Sequence, residues 1–179
     1  MTLVLSGNTG SALDGIKNSL MFLETAKATT SGTSIDFTGI PSWAKKITVM
    51  FNGVSTNGTS IVIVRVGAST VSTTGYFSCV SEIVGGVGVA SATSTAGFPL
   101  SVNVVATSAL TGNLFLYKIT ANTWTLSHNL YRGDGSLTCI GTGSSPSLSG
   151  TLDVIRITTV NGTDTFDAGS INILIEGYV

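Results

Sequence analysis

The sequence predicts an all-β protein, an antiparallel β-sandwich of jelly-roll-like type with a short N-terminal arm. Three observations carry this. Residues alternate at a period of two in run after run, as Ile47, Val49 and Phe51 do against Thr48, Met50 and Asn52, and that spacing puts one set on each side of an extended chain. The runs are separated by segments rich in Gly, Asn, Ser and Thr, which supply positive φ angles and local side-chain hydrogen bonds. β-Branched Thr and Val recur throughout, and they suit a pleated surface.

Taken in order, residues 1–27 read as an arm and residues 28–179 as the sandwich. Leu13, Ile16, Leu20 and Leu23 fall on roughly one helical face, which predicts a helix over Ala12 to Leu23 with Asp14 near its positive end. Gly15 weakens that helix, and a first strand over Ser19 to Ala28 is the alternative. Met1 to Leu20 alone has too little apolar surface to order itself, so it is expected to dock on something else. The predicted strands are Phe22–Ala28, Ser34–Phe37, Lys46–Asn52, Ser60–Gly67, Gly75–Glu82, Pro99–Val105, Gly112–Ile119, Trp124–Tyr131, Gly135–Gly141, Gly150–Thr159 and Gly169–Tyr178.

Two pairs read as hairpins. Lys46–Asn52 and Ser60–Gly67 flank the Gly, Asn, Ser and Thr segment Gly53 to Ser60, and the last two strands flank the Asn161-Gly162 dipeptide. Pro41 ends a strand because it cannot donate to a ladder, and Trp43 and Trp124 are expected as rim or core aromatics. Gly85 to Gly88 with Ala90 to Gly97 reads as the longest surface loop, or as a segment packed on a neighbouring subunit.

Composition narrows function. The chain has 179 residues, enough for one domain with one core. Only 9% of residues are charged and the net charge is -1, while mean hydropathy is +0.46. Nucleic acid and anionic membranes need clustered Lys and Arg, and only Lys45 and Lys46 form a basic pair. No nucleic-acid partner and no membrane insertion are expected, since no run nears roughly eighteen apolar residues and Met1 to Leu5 gives way at once to Ser6 and Gly7. Cys79 and Cys139 lack CxxC spacing and read as buried free thiols.

The search for chemistry yields no catalytic, cofactor or metal residues, and no enzyme is expected. His128 stands alone in an alternating run and reads as a hydrogen-bonded sheet residue, with no nucleophile-elbow serine for a partner. Asp164 and Asp167 lack the ligand density of a calcium loop and read as turn stabilisers. Gly85–Gly88 and Gly141–Gly143 match no nucleotide-binding pattern. Asn57-Gly58-Thr59 and Asn161-Gly162-Thr163 match the glycosylation sequon but read as turns. Tyr76, Phe77, Trp124, Tyr131 and Tyr178 would stack on sugars if exposed, and core or interface is the simpler reading.

A resemblance adds to this. The strings TSGTSIDFTGIPSWAKKITVMFNGVSTNGTS at Thr30 to Ser60 and LSGTLDVIRITTVNGTDTFDAGSINILIEGYV at Leu148 to Val179 resemble tailed-bacteriophage structural proteins of the tail or tail-fibre type, and MTLVLSG at Met1 to Gly7 resembles the opening of phage fibre-type proteins. The middle, Ser69 to Thr125, is similar only loosely, so no receptor-contact residue is carried over. The resemblance implies a virion component that assembles as a homo-oligomer, with no enzymatic activity assigned to the family, and the arm is expected to contact other virion proteins. A homotrimer is expected by analogy with virion jelly rolls. A head fibre or capsid decoration protein, and a carbohydrate-binding module on a host-surface glycan, are the alternatives.

Overall fold

The computed structural model describes residues 19–178. They form two antiparallel sheets packed into an all-β sandwich, with strands numbered along the chain. The large sheet runs in the order β1 (Ser19–Leu23), β14 (Phe166–Tyr178), β4 (Ala44–Thr56), β10 (Leu110–Lys118), β11 (Trp124–Arg132), β12 (Leu137–Ser144), β7 (Phe77–Val84) and β8 (Val87–Ser94), and β2 (Lys27–Ala28) also pairs with β14. The small sheet runs β3 (Ser34–Thr38), β13 (Val154–Thr159), β5 (Val62–Ala68) and β6 (Thr70–Val71), with β9 (Phe98–Pro99) on β5. A 3-10 turn at Gly133–Gly135 leads into β12.

The period of two decides which side chains meet between the sheets. Ile47, Val49 and Phe51 of β4, Leu114 and Leu116 of β10, and Ile171, Ile173 and Ile175 of β14 face Val62, Val64 and Val66 of β5 and Ile155 and Ile157 of β13, all in one core. Removing that much apolar surface from water is the main favourable term for the fold. Trp124 is fully buried and Trp43 packs partly buried on the same core. Tyr76 meets Phe98 edge to face, ring centroids 5.0 Å apart. Burial pushes the Tyr76 phenol up to about 12, while its oxygen accepts from the Val66 amide at 2.8 Å.

Both predicted hairpins are corrected. β4 lies in the large sheet and β5 in the small one, and the same separation holds for β14 and β13. The segments between them are therefore crossovers from one sheet to the other. The two crossovers are zipped together: Asn57 N donates to Thr165 O at 2.9 Å, Thr165 N to Asn57 Oδ1 at 2.9 Å, and Ser60 N to Asp164 Oδ2 at 2.9 Å. Alternation reports which way side chains point, not which strand lies alongside, so the pattern is identical for a hairpin and a corner.

Other differences are local. The segment expected as a loop from Gly85 onward contains β8, joined to β7 by a tight turn in which Gly85 and Gly86 have φ of 54° and 83°. Two successive positive φ values match the right-handed twist of a hairpin, and the small side chains of Val87–Ser94 hide its strand character. Of the strand expected at Pro99–Val105 only Pro99 lies in the sheet, as the second residue of β9. The helix expected over Ala12 to Leu23 lies outside the described residues as far as residue 18, and its last five residues are β1, paired with β14 from Ser19↔Tyr178 to Leu23↔Leu174. The alternative first strand is thus the better reading of Ser19 to Ala28, split into β1 and β2. Among the described residues, no helix is long and apolar enough to cross a membrane.

Candidate functional site

A chemically distinctive surface is the outer face of the large sheet, and strand register defines it. One row of neighbours runs Leu23, Leu174, Thr48, Phe115, Ser127, Thr142, Cys79 and Thr93, one residue from each of the eight strands. The row beside it runs Met21, Glu176, Lys46, Tyr117, Thr125, Ser144 and Phe77. On the other side lie Asn172, Met50, Asn113, Asn129, Ile140, Ser81 and Ser91, then Thr111, Tyr131, Thr138 and Ile83.

Within these rows the only charged side chains are Lys46 and Glu176, which bond each other at 2.7 Å. The Glu176 hydrogen bond holds the Lys46 ammonium above its usual range, against a smaller opposing effect of burial. Apolar side chains stand out into solvent: Phe77 is 85% exposed, Met21 69% and Leu23 58%, far beyond what a covered position allows. Phe115 and Tyr117 stack with centroids 6.5 Å apart and planes 28° apart. A cavity of about 430 Å³ lies at the β7, β8 and β12 end, lined by Phe77, Cys79, Thr93, Thr95, Thr142 and Gly143. Such a face offers dispersion contact and hydroxyl or amide hydrogen bonds rather than charge.

The residues singled out in the sequence do not gather into one site. His128 is buried on the inner face of β11, where Nε2 donates to the Pro99 carbonyl at 3.0 Å. Its ring occupies the space over Gly141, where an added Cβ would lie 2.1 Å from Nε2. Burial holds its pKa below the usual value, opposed by hydrogen bonds to the Pro99 and Cys139 backbone. The sign follows from linkage. The unfolded chain takes up a proton below about pH 6.5 while the folded chain resists, so this contribution to stability is present above that pH and declines as pH falls through the folded value. Urea unfolding is expected to give lower stability at pH 5.5 than at 7.5, with a shallower slope in His128→Gln. Identical slopes in the two proteins would overturn this.

Asp164 stabilises the turn as expected, accepting from Ser60 N and from Asn161 Nδ2 at 2.6 Å. Its carboxyl is held below the usual range first by the Asn161 hydrogen bond. Asp167 accepts from the Ser55 hydroxyl instead, and no group of three or more metal-ligating side chains occurs among the described residues. The sequon asparagines serve as turn residues, Asn161 Oδ1 accepting from Thr163 N at 3.0 Å and Asn57 Oδ1 from Thr165 N. Cys79 and Cys139 are both free thiols, but only Cys139 is buried. Cys79 and Cys139 occupy opposite faces of neighbouring strands, and burial pushes the Cys139 thiol up to about 12. Of the aromatics named as sugar platforms, Tyr76 and Trp124 are core, while Phe77, Tyr131 and Tyr178 are exposed.

Sequence reasoning missed a buried ionic cluster. Arg132 and Glu82 point into the interior from β11 and β7 and pair at 2.5 Å, with Arg132 Nε donating to Asp134 at 2.8 Å. Glu82 Oε1 also accepts from Val102 N at 2.6 Å, and Arg132 donates to Val102 O. The pair fastens the loop after β9 to the large sheet. The signal was present: Glu82 is in phase with buried Val80, and Arg132 with buried Leu130.

Among known proteins, no family model matches this chain, and no curated protein matches it.

Proposed function

We propose that this chain is a structural protein of a tailed-phage virion, a tail or tail-fibre component that assembles with copies of itself. The two strings at Thr30–Ser60 and Leu148–Val179 suggest the class, and the observation that best supports self-assembly is the outer face of the large sheet, whose four cross-strand rows hold a single pair of charges that neutralise each other. A fibre or decoration subunit needs a sandwich that packs against its copies and a separate segment that attaches. The stacked Phe115 and Tyr117 favour a second reading, a face that holds a host-surface glycan.

Electron microscopy of phage particles labelled on this subunit tests the first reading. Label on the tail is expected. Label on the head would replace it with the head-fibre or capsid-decoration alternative, and purified particles without label would remove the virion role. The glycan reading calls for incubation with host polysaccharide, binding without new reducing ends being the expected result and new ends marking a depolymerase.

A further inference from the structure

We propose that the outer face of the large sheet is the surface on which a second copy of this chain packs. This rests on the self-assembly reading above and adds to it the surface and its chemistry. Three observations converge on it.

The first is where the charges lie. The small sheet presents Asp36 and Arg156 on its outside, joined by two hydrogen bonds of 2.7 and 2.6 Å, with Arg65 beside them. Glu82, Arg132 and Asp134 form the cluster with Val102, and Asp153 and Asp164 hold loops through the Ser69 and Ser60 amides. The four cross-strand rows of the large sheet hold only the Lys46–Glu176 pair. Depletion of charge marks the centre of a protein–protein interface and not a solvated sheet face.

The second is the spread of apolar side chains. They run from Met21 and Leu23 on β1, through Met50, Phe115, Tyr117, Tyr131 and Ile140, to Phe77 on β7. An oligosaccharide would engage two or three aromatics along a groove. Apolar groups reaching from one side of the sheet to the other match a partner as broad as the sheet itself.

The third is area. Eight strands in one path, about 4.8 Å apart, make a face about 34 Å wide, and about seven residues of each at about 3.3 Å give a length near 23 Å. The product is on the order of 800 Å², which is what each partner contributes to a stable interface of ordinary size. Two such faces would meet as stacked sheets do, with strands about 30° apart. Serine, threonine and asparagine would fill the hydrogen-bonding positions between the apolar contacts, with no lone charge buried.

The test uses the full chain in light scattering, comparing it with Tyr117→Lys/Ile140→Lys on this face and Thr38→Lys on the exposed end of the small sheet. Both face positions are already half exposed, so the double variant should keep the circular dichroism spectrum of the parent. We expect an oligomer for the parent and for Thr38→Lys, and self-association weaker by about 100-fold or more in the double variant, because lysines would be brought together without partners. Alkylation of Cys79, which lies in the first row, needs no variant: it should slow as the parent protein is concentrated. A monomeric parent, an oligomer indifferent to the two lysines, equal weakening by Thr38→Lys, or a Cys79 rate that does not change with concentration would each overturn the proposal. A monomer that binds glycan would hand the face to sugar. An oligomer built on another surface would overturn this inference and leave the virion reading standing, whereas unlabelled virions would do the reverse.

Discussion

Replacing Arg132 by methionine is expected to lower the free energy of unfolding by about 3–5 kcal/mol, as breaking one side of a buried ion pair does. The variant leaves Glu82 buried with the Val102 amide as its strongest remaining partner, and leaves the Val102 carbonyl without its guanidinium donor. The penalty is thus the desolvation of what stays behind, more than the lost attraction. Glu82→Gln/Arg132→Met should recover part of the loss, since a neutral amide still accepts from Val102 N. Urea unfolding followed by tryptophan fluorescence measures both. A single-variant loss under about 1 kcal/mol would mean that the cluster does not fasten the Val102 loop, because an exposed pair typically contributes no more than that.

The second large effect is expected at Gly169, where alanine should cost about 2–5 kcal/mol. Two penalties coincide there. The residue sits at φ +93°, and an added Cβ would lie 2.4 Å from the Gly53 carbonyl oxygen, a backbone atom that cannot rotate away. Strain in that region costs of order 1–3 kcal/mol and overpacking a similar amount. Gly53 is the internal control. It has φ +64° but nothing lies within 4 Å of the place an added methyl would take, so Gly53→Ala should cost only about 1 kcal/mol. Equal losses at the two sites would mean that the close approach of β14 to β4 gives way easily.

Much of the architecture was legible because burial and alternation are local properties. Most of the predicted strands from Ser34 onward coincide with observed ones to within a few residues, and the inner residues of β4, β13 and β14 are those their periodicity picks out. Partnership was not legible. β4 and β5 follow each other in sequence with turn-forming residues between them, yet belong to different sheets, because the register that places β4 between β14 and β10 is set by residues more than a hundred positions apart in the case of Ile175↔Ile47. β8 escaped notice for a different reason: Gly88, Ala90, Ser91 and Ala92 offer no contrast between faces, so nothing in composition separates an extended edge from a loop. The outer face is legible only after folding, since it is assembled from single residues on eight strands, each ordinary in its own run.

The placement of β14 bears on the order in which the molecule can be made. It lies between β1 and β4 in the large sheet, although it is the last of the described strands. As the chain emerges from the ribosome, β4 can acquire β10 and the meander through β12, but its other edge has no partner until residues 166–178 have appeared. The two crossovers impose the same delay at the end of the sandwich, since the Asn57 and Ser60 amides await Thr165 and Asp164. Long-range pairing of this kind makes folding slow and late. A nascent chain therefore carries the open edge of β4 until residues 166–178 have emerged, and needs protection from neighbouring chains on the same message until β14 closes it.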